Sequence, residues 1–139
     1  MKKFATAVIF LVMTLSQAAF AQSTSGFEGE WIGTITAGEH SVSVRLVIHG
    51  NQARQYFKTD EGWEPVTPDK IDFLIDRNNA VMVWMNSGGV WSETQVYSLS
   101  MKSGRELDIV WTRHVNNVRE GGNNETWNLV GNGTLTKVG

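Results

Sequence analysis

Residues able to hold or transfer charge alternate with aromatic residues in the middle of this chain. Glu93 and Gln95 lie two residues apart in one segment, and Arg113 lies in the next apolar-rich segment. A carboxylate, an amide and a guanidinium together offer the acceptors and donors that fix the polar group of a ligand. The aromatic residues of the same segments are Trp84, Trp91, Tyr97 and Trp111. Aromatic surface around a few polar groups is typical of a small-molecule site.

Patterns for catalysis or metal binding are weak. His40, His49 and His114 are far apart, and none lies in the His-x-x-x-His or Glu-x-x-His spacing that holds a metal. Glu93 and Asp108 would be the paired carboxylates of a hydrolase, but strand alternation places them on opposite faces. We therefore predict no metal and no cofactor, and favour a non-catalytic protein over a hydrolase or isomerase.

Alternation of apolar and polar residues with a period of two predicts β-strands through most of the chain. In the second strand, for example, Val42, Val44 and Leu46 share one face and alternate with polar residues. No long helical periodicity follows Gln22. We predict eight strands, at about 28–37, 42–49, 52–59, 71–76, 80–86, 90–101, 106–115 and 125–137.

Short connections between these segments predict an up-and-down meander. Most of them suit two-residue or three-residue hairpin turns, and two loops, Asp60–Asp69 and Asn116–Asn124, are long. Eight meandering strands close into an antiparallel barrel that holds side chains or one small ligand. Both long loops fall at the same end, which we call the mouth. The short turns are predicted at Gly38-Glu39, Gly50-Asn51, Asn78-Asn79, Gly88-Gly89 and Ser103-Gly104-Arg105.

The turn positions also predict which residues share a face. A turn at Asn78-Asn79 places Phe73 opposite Trp84, and a turn at Gly88-Gly89 places Trp84 opposite Glu93. Lengthening the first turn by one residue would exchange the two faces of the strand. The predicted shared face consists of Phe73, Trp84, Trp91, Glu93, Gln95, Tyr97, Leu99, Ile109, Trp111 and Arg113, with Tyr97 opposite Trp111 and Gln95 opposite Arg113.

If this face lines the barrel interior, Glu93 and Arg113 must pair with each other, contact water or bind a ligand, because an unpaired buried charge is costly. One alternative is an ion pair between them that fills the barrel. A second is that they fix the polar group of a ligand that stacks on the tryptophans. A third is that the face points outward and forms a subunit interface.

The first 21 residues have the pattern of a cleaved secretory signal peptide. Lys2 and Lys3 precede an apolar run that is too short to span a bilayer, and Ala19-Phe20-Ala21 is a cleavage site of small residues. We predict a single barrel domain at 22–139, without a membrane anchor, that is periplasmic or secreted and of bacterial type. Without the two lysines the net charge is −4, which argues against a nucleic-acid partner. The chain has no cysteine, so its core must hold without disulfides.

Two segments resemble known barrel families of the calycin type. Phe27-Glu28-Gly29-Glu30-Trp31 matches the Phe-x-Gly-x-Trp opening of lipocalins and fatty-acid-binding proteins. Val81–Trp84, Trp111, Trp127 and the closing segment 130–138 resemble the avidin and streptavidin family. The resemblance covers about half of the chain after the leader. It implies an eight-stranded ligand-binding barrel with Trp84, Trp111 and Trp127 as pocket residues.

The residues that bind biotin in the avidin family are not matched. The positions of its first-strand Asn and Ser are Gly33 and Ala37 here, and the position of its closing-strand Asp is Gly133. The resemblance therefore implies the fold and not the biotin chemistry. Because avidin-like relatives form tetramers, it also leaves a homo-oligomer open.

These patterns predict an exported, non-catalytic β-barrel that binds a small, partly apolar ligand. One alternative is a protein-interaction or inhibitor module that docks through the mouth loops, where Trp63 and His114 are the candidates. Another is a hydrolase or isomerase on the same scaffold, with His114 bonded to a carboxylate such as Glu120. The predicted ligand-binding residues are Trp84, Trp91, Glu93, Gln95, Tyr97, Trp111, Arg113 and Trp127.

Overall fold

The computed structural model describes residues 25–117 and 125–139, which form one antiparallel sheet curled into a half-barrel. These residues include no helix, and hence none long and apolar enough to cross a membrane. The all-β, antiparallel, barrel-like class is confirmed, with nine strands in the described residues instead of the eight predicted. The strands are β1 (Gly29–Ala37), β2 (His40–His49), β3 (Gln52–Thr59), β4 (Gly62–Pro65), β5 (Lys70–Asp76), β6 (Asn79–Gly88), β7 (Trp91–Ser103), β8 (Glu106–Asn117) and β9 (Glu125–Lys137).

The strand order is β4-β3-β2-β1-β9-β8-β7-β6-β5. All neighbours are antiparallel, and the pairing of β1 with β9 joins the two ends of the chain. The β1–β2, β3–β4 and β6–β7 connections lie at one end of the strands, which is the mouth. The opposite end, with the β2–β3, β5–β6 and β7–β8 turns, is called the base.

The ninth strand, β4, forms inside the predicted Asp60–Asp69 loop. It folds back on β3, so that Thr59 pairs with Gly62 and Tyr56 with Pro65. The predicted hairpin between the third strand and the next one is therefore wrong, because β4 takes the pairing edge of β3 and β5 pairs with β6 alone. The sheet consequently has a break between β4 and β5, which the segment 66–69 spans.

The predicted turns are partly correct. Gly38-Glu39 and Gly50-Asn51 are the loop residues of their hairpins, as predicted. The turn expected at Asn78-Asn79 is instead at 77–78, and the turn expected at Gly88-Gly89 is at 89–90. In the latter, Gly89 takes the first loop position with a φ of 57°, which glycine adopts without strain.

These displaced turns change the partners of Trp84 without changing its face. Trp84 lies opposite Ile71 and Gln95, not opposite Phe73 and Glu93 as predicted. Each register is shifted by two residues, and a shift of two leaves every side chain on its original face. The shared face predicted from the sequence is therefore the one that points inward.

The register between β7 and β8 is the predicted one. Tyr97 pairs with Trp111 and Gln95 with Arg113. The connection is a two-residue turn at Gly104-Arg105 combined with an irregularity between Met101 and Ser103, instead of a three-residue turn. The extra residue on β7 has the same effect on register as the longer turn would have had.

The inward face of β2 shows where the interior is filled. Leu46 is fully buried, whereas Val42, four residues nearer the mouth on the same face, is 40% exposed. At the base, Trp31 is also fully buried, and its indole donates a hydrogen bond of 2.7 Å to the Phe27 carbonyl. The apolar core therefore fills the base of the half-barrel, and the inward face of β2 becomes partly exposed at its mouth end.

Candidate functional site

A cavity of about 340 Å³ lies at the mouth, above the apolar core. Its wall combines an apolar side from β1–β3 and residue 66 with an aromatic and polar side that is mostly from β6–β8. The apolar residues of the wall are Ile35, Val42, Val44, Phe57 and Val66. The aromatic and polar residues are Gln55, Trp84, Asn86, Glu93, Gln95, Tyr97, Trp111 and Arg113.

Six of the eight predicted ligand-binding residues are in this wall, which places them around one space. The other two, Trp91 and Trp127, form an edge-to-face pair with ring centroids 5.4 Å apart at an angle of 69°. The Trp91 indole donates a hydrogen bond of 3.3 Å to Glu93, which links this pair to the cavity residues. These two tryptophans therefore support the wall and do not line the cavity.

Glu93 is the centre of a hydrogen-bond network in the cavity wall. The Nε of Arg113 donates to its Oε1 over 2.6 Å, and the Gln95 amide donates to the same oxygen. Trp91 donates to the other carboxylate oxygen. Glu93 is 8% exposed, and this set of donors replaces the water that a buried carboxylate loses.

The network continues toward β3 through neutral groups. The Gln95 side-chain oxygen accepts hydrogen bonds from the Tyr97 hydroxyl and, over 2.7 Å, from the Trp111 indole. The Gln55 amide donates to the Tyr97 oxygen over 2.8 Å, and its own oxygen accepts from Trp84 over 3.1 Å. The side chains of four strands, β3, β6, β7 and β8, are therefore held in fixed orientations by one connected network.

Burial and hydrogen bonding shift two pKa values in this network. Burial raises the pKa of the Glu93 carboxyl, but the hydrogen bonds from Arg113 and Gln95 outweigh it and bring the pKa below its ordinary value. Burial also raises the pKa of the Tyr97 phenol well above its ordinary value. At neutral pH Glu93 is therefore ionised and Tyr97 protonated, so the network holds fixed donors and acceptors.

Sequence reasoning missed two polar residues of the wall, Gln55 and Asn86. Gln55 lies between Ala53 and Phe57 on the inward side of its strand, so alternation predicts its inward orientation but not its contact with the other site residues. Asn86 follows Trp84 by two residues, and its side-chain oxygen accepts a hydrogen bond of 2.8 Å from the Asp69 backbone. That contact attaches the chain segment that crosses the break in the sheet to the end of β6.

A second recess of about 470 Å³ adjoins the cavity on the β9 side of the mouth. The two spaces share Val42, Trp111 and Arg113 as wall residues. The second recess also touches His40 and Leu129. Arg113 is 29% exposed and borders both spaces, so a ligand in either one would meet its guanidinium.

Comparisons with protein-family models, with curated proteins and with solved structures found no match for this chain.

Trp63 and His114 lie outside the cavity wall. Trp63 is on β4 opposite Lys58, whose ammonium lies 5.6 Å from the centre of the indole ring. His114 is exposed on the outer face and bonds the Asn128 side chain. Glu120, the carboxylate predicted for a hydrolase or isomerase, lies outside the described residues. Within residues 25–117 and 125–139, no cluster of three His, Asp or Glu is arranged to hold a metal.

Proposed function

We propose that this protein is an exported, non-catalytic binding protein that takes a small, partly apolar molecule into the mouth cavity. One observation carries the proposal: inward apolar side chains at the base are fully buried, whereas two of those in the cavity wall at the mouth, Val42 and Phe57, are 40% and 38% exposed. Apolar side chains that point inward and stay exposed, such as Val42 and Phe57, gain free energy when an apolar molecule covers them.

The polar network supports binding over simple filling of the barrel. Glu93 and Arg113 do form an ion pair, which was one of the alternatives raised by the sequence. The cavity of about 340 Å³ nevertheless remains beside that pair. Apolar walls with a few convergent polar groups are the usual composition of a small-molecule site.

The cavity size restricts the ligand to a small molecule. A volume of 340 Å³ is near the lower end of the range of ligand pockets and corresponds to about a dozen water molecules. A molecule with one ring or two fused rings and short substituents would fit this volume. The tryptophan and tyrosine rings of the wall favour a flat ligand body, because flat rings stack well on aromatic surfaces.

The state of Glu93 argues for binding instead of catalysis. A general base works best with a pKa near the working pH, whereas the pKa of Glu93 is lowered. Both of its oxygens already accept hydrogen bonds. Arg113 and Gln95 both bond Oε1, and the ion pair with Arg113 makes the carboxylate a weaker base, so we assign Glu93 to orientation of the wall.

Export is the part of the proposal that rests on the sequence alone. Residues 1–21 have the pattern of a cleaved leader. Expression of the full-length sequence in a bacterial host tests it by the mass and location of the product. A periplasmic or secreted chain beginning at Gln22 supports export, and a cytoplasmic chain that retains Met1 contradicts it.

Native mass spectrometry of the protein, purified without organic solvent from the cells that make it, tests the binding function. We expect a species heavier than the chain by the mass of one small molecule. Collision in the gas phase should release this molecule. A chain that never carries a small molecule but co-purifies with a second protein would favour the interaction-module alternative. The same spectrum gives the number of subunits.

A further inference from the structure

In the cavity wall, the side-chain oxygens use more of their hydrogen-bonding capacity than the guanidinium and amide nitrogens do. Each side-chain oxygen of the polar wall residues accepts at least one hydrogen bond: both oxygens of Glu93 and the oxygens of Gln55, Asn86, Gln95 and Tyr97. Two of these oxygens, Oε1 of Glu93 and the side-chain oxygen of Gln95, accept two hydrogen bonds each and have no lone pair left for a ligand. The others accept one each, so a ligand donor would find neutral or weakly placed acceptors there.

Donors, in contrast, remain available on the same wall. Arg113 uses only its Nε toward Glu93, and its two terminal nitrogens have no partner among the described residues. The amides of Gln55 and Gln95 each make one hydrogen bond and carry a second N–H. The Asn86 amide nitrogen also has no acceptor in the described part of the chain. The strongest unused hydrogen-bonding groups of the wall are therefore the charged N–H donors of Arg113, which favour a ligand with an acceptor oxygen.

Charge decides which kind of acceptor fits. Glu93 neutralises Arg113 at 2.6 Å, so the charges of the cavity wall sum to zero. A carboxylate or phosphate ligand would leave the site with a net negative charge next to Glu93, which is unfavourable when buried. An uncharged oxygen takes the same N–H groups without that cost. The chain as a whole is also acidic, with a net charge of −2, and does not attract anions.

We propose that the ligand is an uncharged, flat, largely apolar molecule whose carbonyl-type oxygen accepts hydrogen bonds from the terminal nitrogens of Arg113. This inference rests on the proposed function and adds to it the chemical class of the ligand. The ring system lies between the apolar strands and the aromatic side chains. The carbonyl points toward Arg113, with the free N–H of Gln95 as a second donor.

A second Arg–Glu pair provides a matched control. Arg45 donates from Nε to Glu30 over 2.7 Å and is 27% exposed, close to the values for Arg113. It also donates from a terminal nitrogen to Glu30 over 3.1 Å, and its guanidinium lies 4.8 Å from the centre of the Tyr56 ring. Arg45 does not border the mouth cavity, so its replacement removes a similar ion pair without changing the proposed site.

Three naphthalene probes of equal size test the proposal on the protein made from the full-length sequence. They are 2-acetylnaphthalene, with a ketone oxygen, 2-isopropenylnaphthalene, with a methylene in its place, and the anion 2-naphthoate. Calorimetric titration at neutral pH gives each affinity. We expect the ketone to bind about tenfold more tightly than either other probe, the factor that one hydrogen bond from a charged donor supplies.

Two variants then assign that preference to Arg113. R113M should bind the ketone and the alkene equally, whereas R45M should keep the wild-type preference. Circular dichroism melting is the control that checks whether both variants are folded. E93Q, which retains Arg113, provides a second test that does not remove the guanidinium. In E93Q the site carries a net positive charge, and the affinity for 2-naphthoate should rise at least about tenfold relative to the ketone.

The outcomes distinguish this inference from the proposed function. Equal binding of the ketone and the alkene to the wild type overturns the inference and leaves the binding function intact. Tighter binding of 2-naphthoate than of the ketone overturns it as well, because the cavity would then prefer an anion. Loss of the ketone preference in R45M would show that it does not come from Arg113. Failure of all three probes to bind counts against both the inference and the proposed function.

Discussion

The base and the mouth of the half-barrel are built from the same strands but differ in what fills them. At the base, the inward side chains of β1, β2 and β9, such as Trp31, Leu46 and Leu135, are fully buried in the protein's own core. At the mouth, the inward Val42 of β2 is 40% exposed, and β2 faces the hydrogen-bonded wall of β6–β8 across the cavity. One inward face is therefore covered by the protein's own core at one end and lines a cavity at the other.

The difference teaches that strand alternation specifies which residues point inward and does not specify whether they touch each other. Val42 and Leu46 have the same orientation on the same strand, yet only Leu46 is covered. The polar network runs along β7 from Glu93 through Gln95 to Tyr97. It crosses the barrel where Gln55 of β3 bonds Tyr97 and Trp84, and the cavity remains beside this crossing.

The largest expected effect is a difference in stability loss between substitutions of Leu46 and Val42, two inward apolar residues of β2. Leu46→Ala should lower the free energy of unfolding by about 2–5 kcal/mol, because it opens a cavity in a filled core. Val42→Ala should lower it by less than about 1 kcal/mol, since Val42 is already partly exposed. Urea unfolding followed by tryptophan fluorescence measures both. Equal losses would mean that the mouth is as closely packed as the base.

A second expected effect concerns the pairing of β1 with β9, which runs from the base to the mouth. β1 and β9 approach so closely that a Cβ at Gly133 would lie 2.0 Å from the Thr34 carbonyl oxygen. Gly133→Ala should therefore destabilise the protein by about 1–3 kcal/mol and should also weaken probe binding at the mouth.

Gly88→Ala is the control for this prediction. No atom of residues 25–117 or 125–139 lies within 4 Å of the Cβ that this substitution adds, and Gly88 is not among the residues with a positive φ. It should leave stability within about 0.5 kcal/mol of the wild type. If Gly133→Ala is as stable as Gly88→Ala, the close approach of β1 and β9 is not a constraint on the fold.

A third prediction compares the two Arg–Glu pairs. Glu93→Gln should cost about 1–3 kcal/mol, because Glu93 is buried and three donors lose a charged acceptor. Glu30→Gln should cost less than about 1 kcal/mol, because that pair is partly solvated. Thermal or urea unfolding of both variants measures the difference. A larger loss for Glu30→Gln would contradict the importance of the cavity network.

The smallest expected effect is a pH dependence. The pKa of Glu93 is lower in the folded protein than in the unfolded chain, so the unfolded chain binds more protons in acid. The stability from this group is therefore complete above the ordinary glutamate pKa of about 4.3 and is lost as the pH falls through the lower, folded value. Glu28, near the base, also has a lowered pKa because the Gly50 N–H and His49 bond its carboxylate.

Acid titrations of urea stability can separate these two carboxylates. Glu93→Gln and Glu28→Gln should each make the loss of stability below about pH 4.3 less steep. Only Glu93→Gln should also change the affinity of the cavity for an anionic probe. An unchanged acid profile in both variants would show that these two carboxylates do not control the acid response.

Much of the fold and part of the site follow from the sequence. Alternation identified the inward face correctly even where the turns were placed one residue away, because both errors moved the register by two. β4 was not predicted because Gly62–Pro65 is only four residues long and ends in a proline. Such a segment shows no alternation of apolar and polar residues, and proline is uncommon inside strands. The break in the sheet could not be predicted either, since it depends on β4 occupying the edge of β3.

The site, like the fold, could be predicted only where it depends on local sequence. Trp84, Glu93 and Arg113 were placed on one face from local turns, and they do share the cavity wall. Gln55 joins them from β3 only because the sheet curls, which brings its amide to the Tyr97 hydroxyl. Curvature arises from the twist of all strands together and has no local sequence pattern.

The central claim is that the mouth, and not the outer surface, binds small apolar molecules. Calorimetric titration with the uncharged ketone 2-acetylnaphthalene tests it in the wild type and in two variants, Val42→Trp and Val110→Trp. Val42 is 40% exposed at the cavity, and Val110 is 47% exposed on the outer face. We predict that Val110→Trp binds like the wild type, and that Val42→Trp, which fills the cavity opening, binds at least about tenfold more weakly. Equal binding by all three proteins, or greater loss in Val110→Trp, would contradict the account.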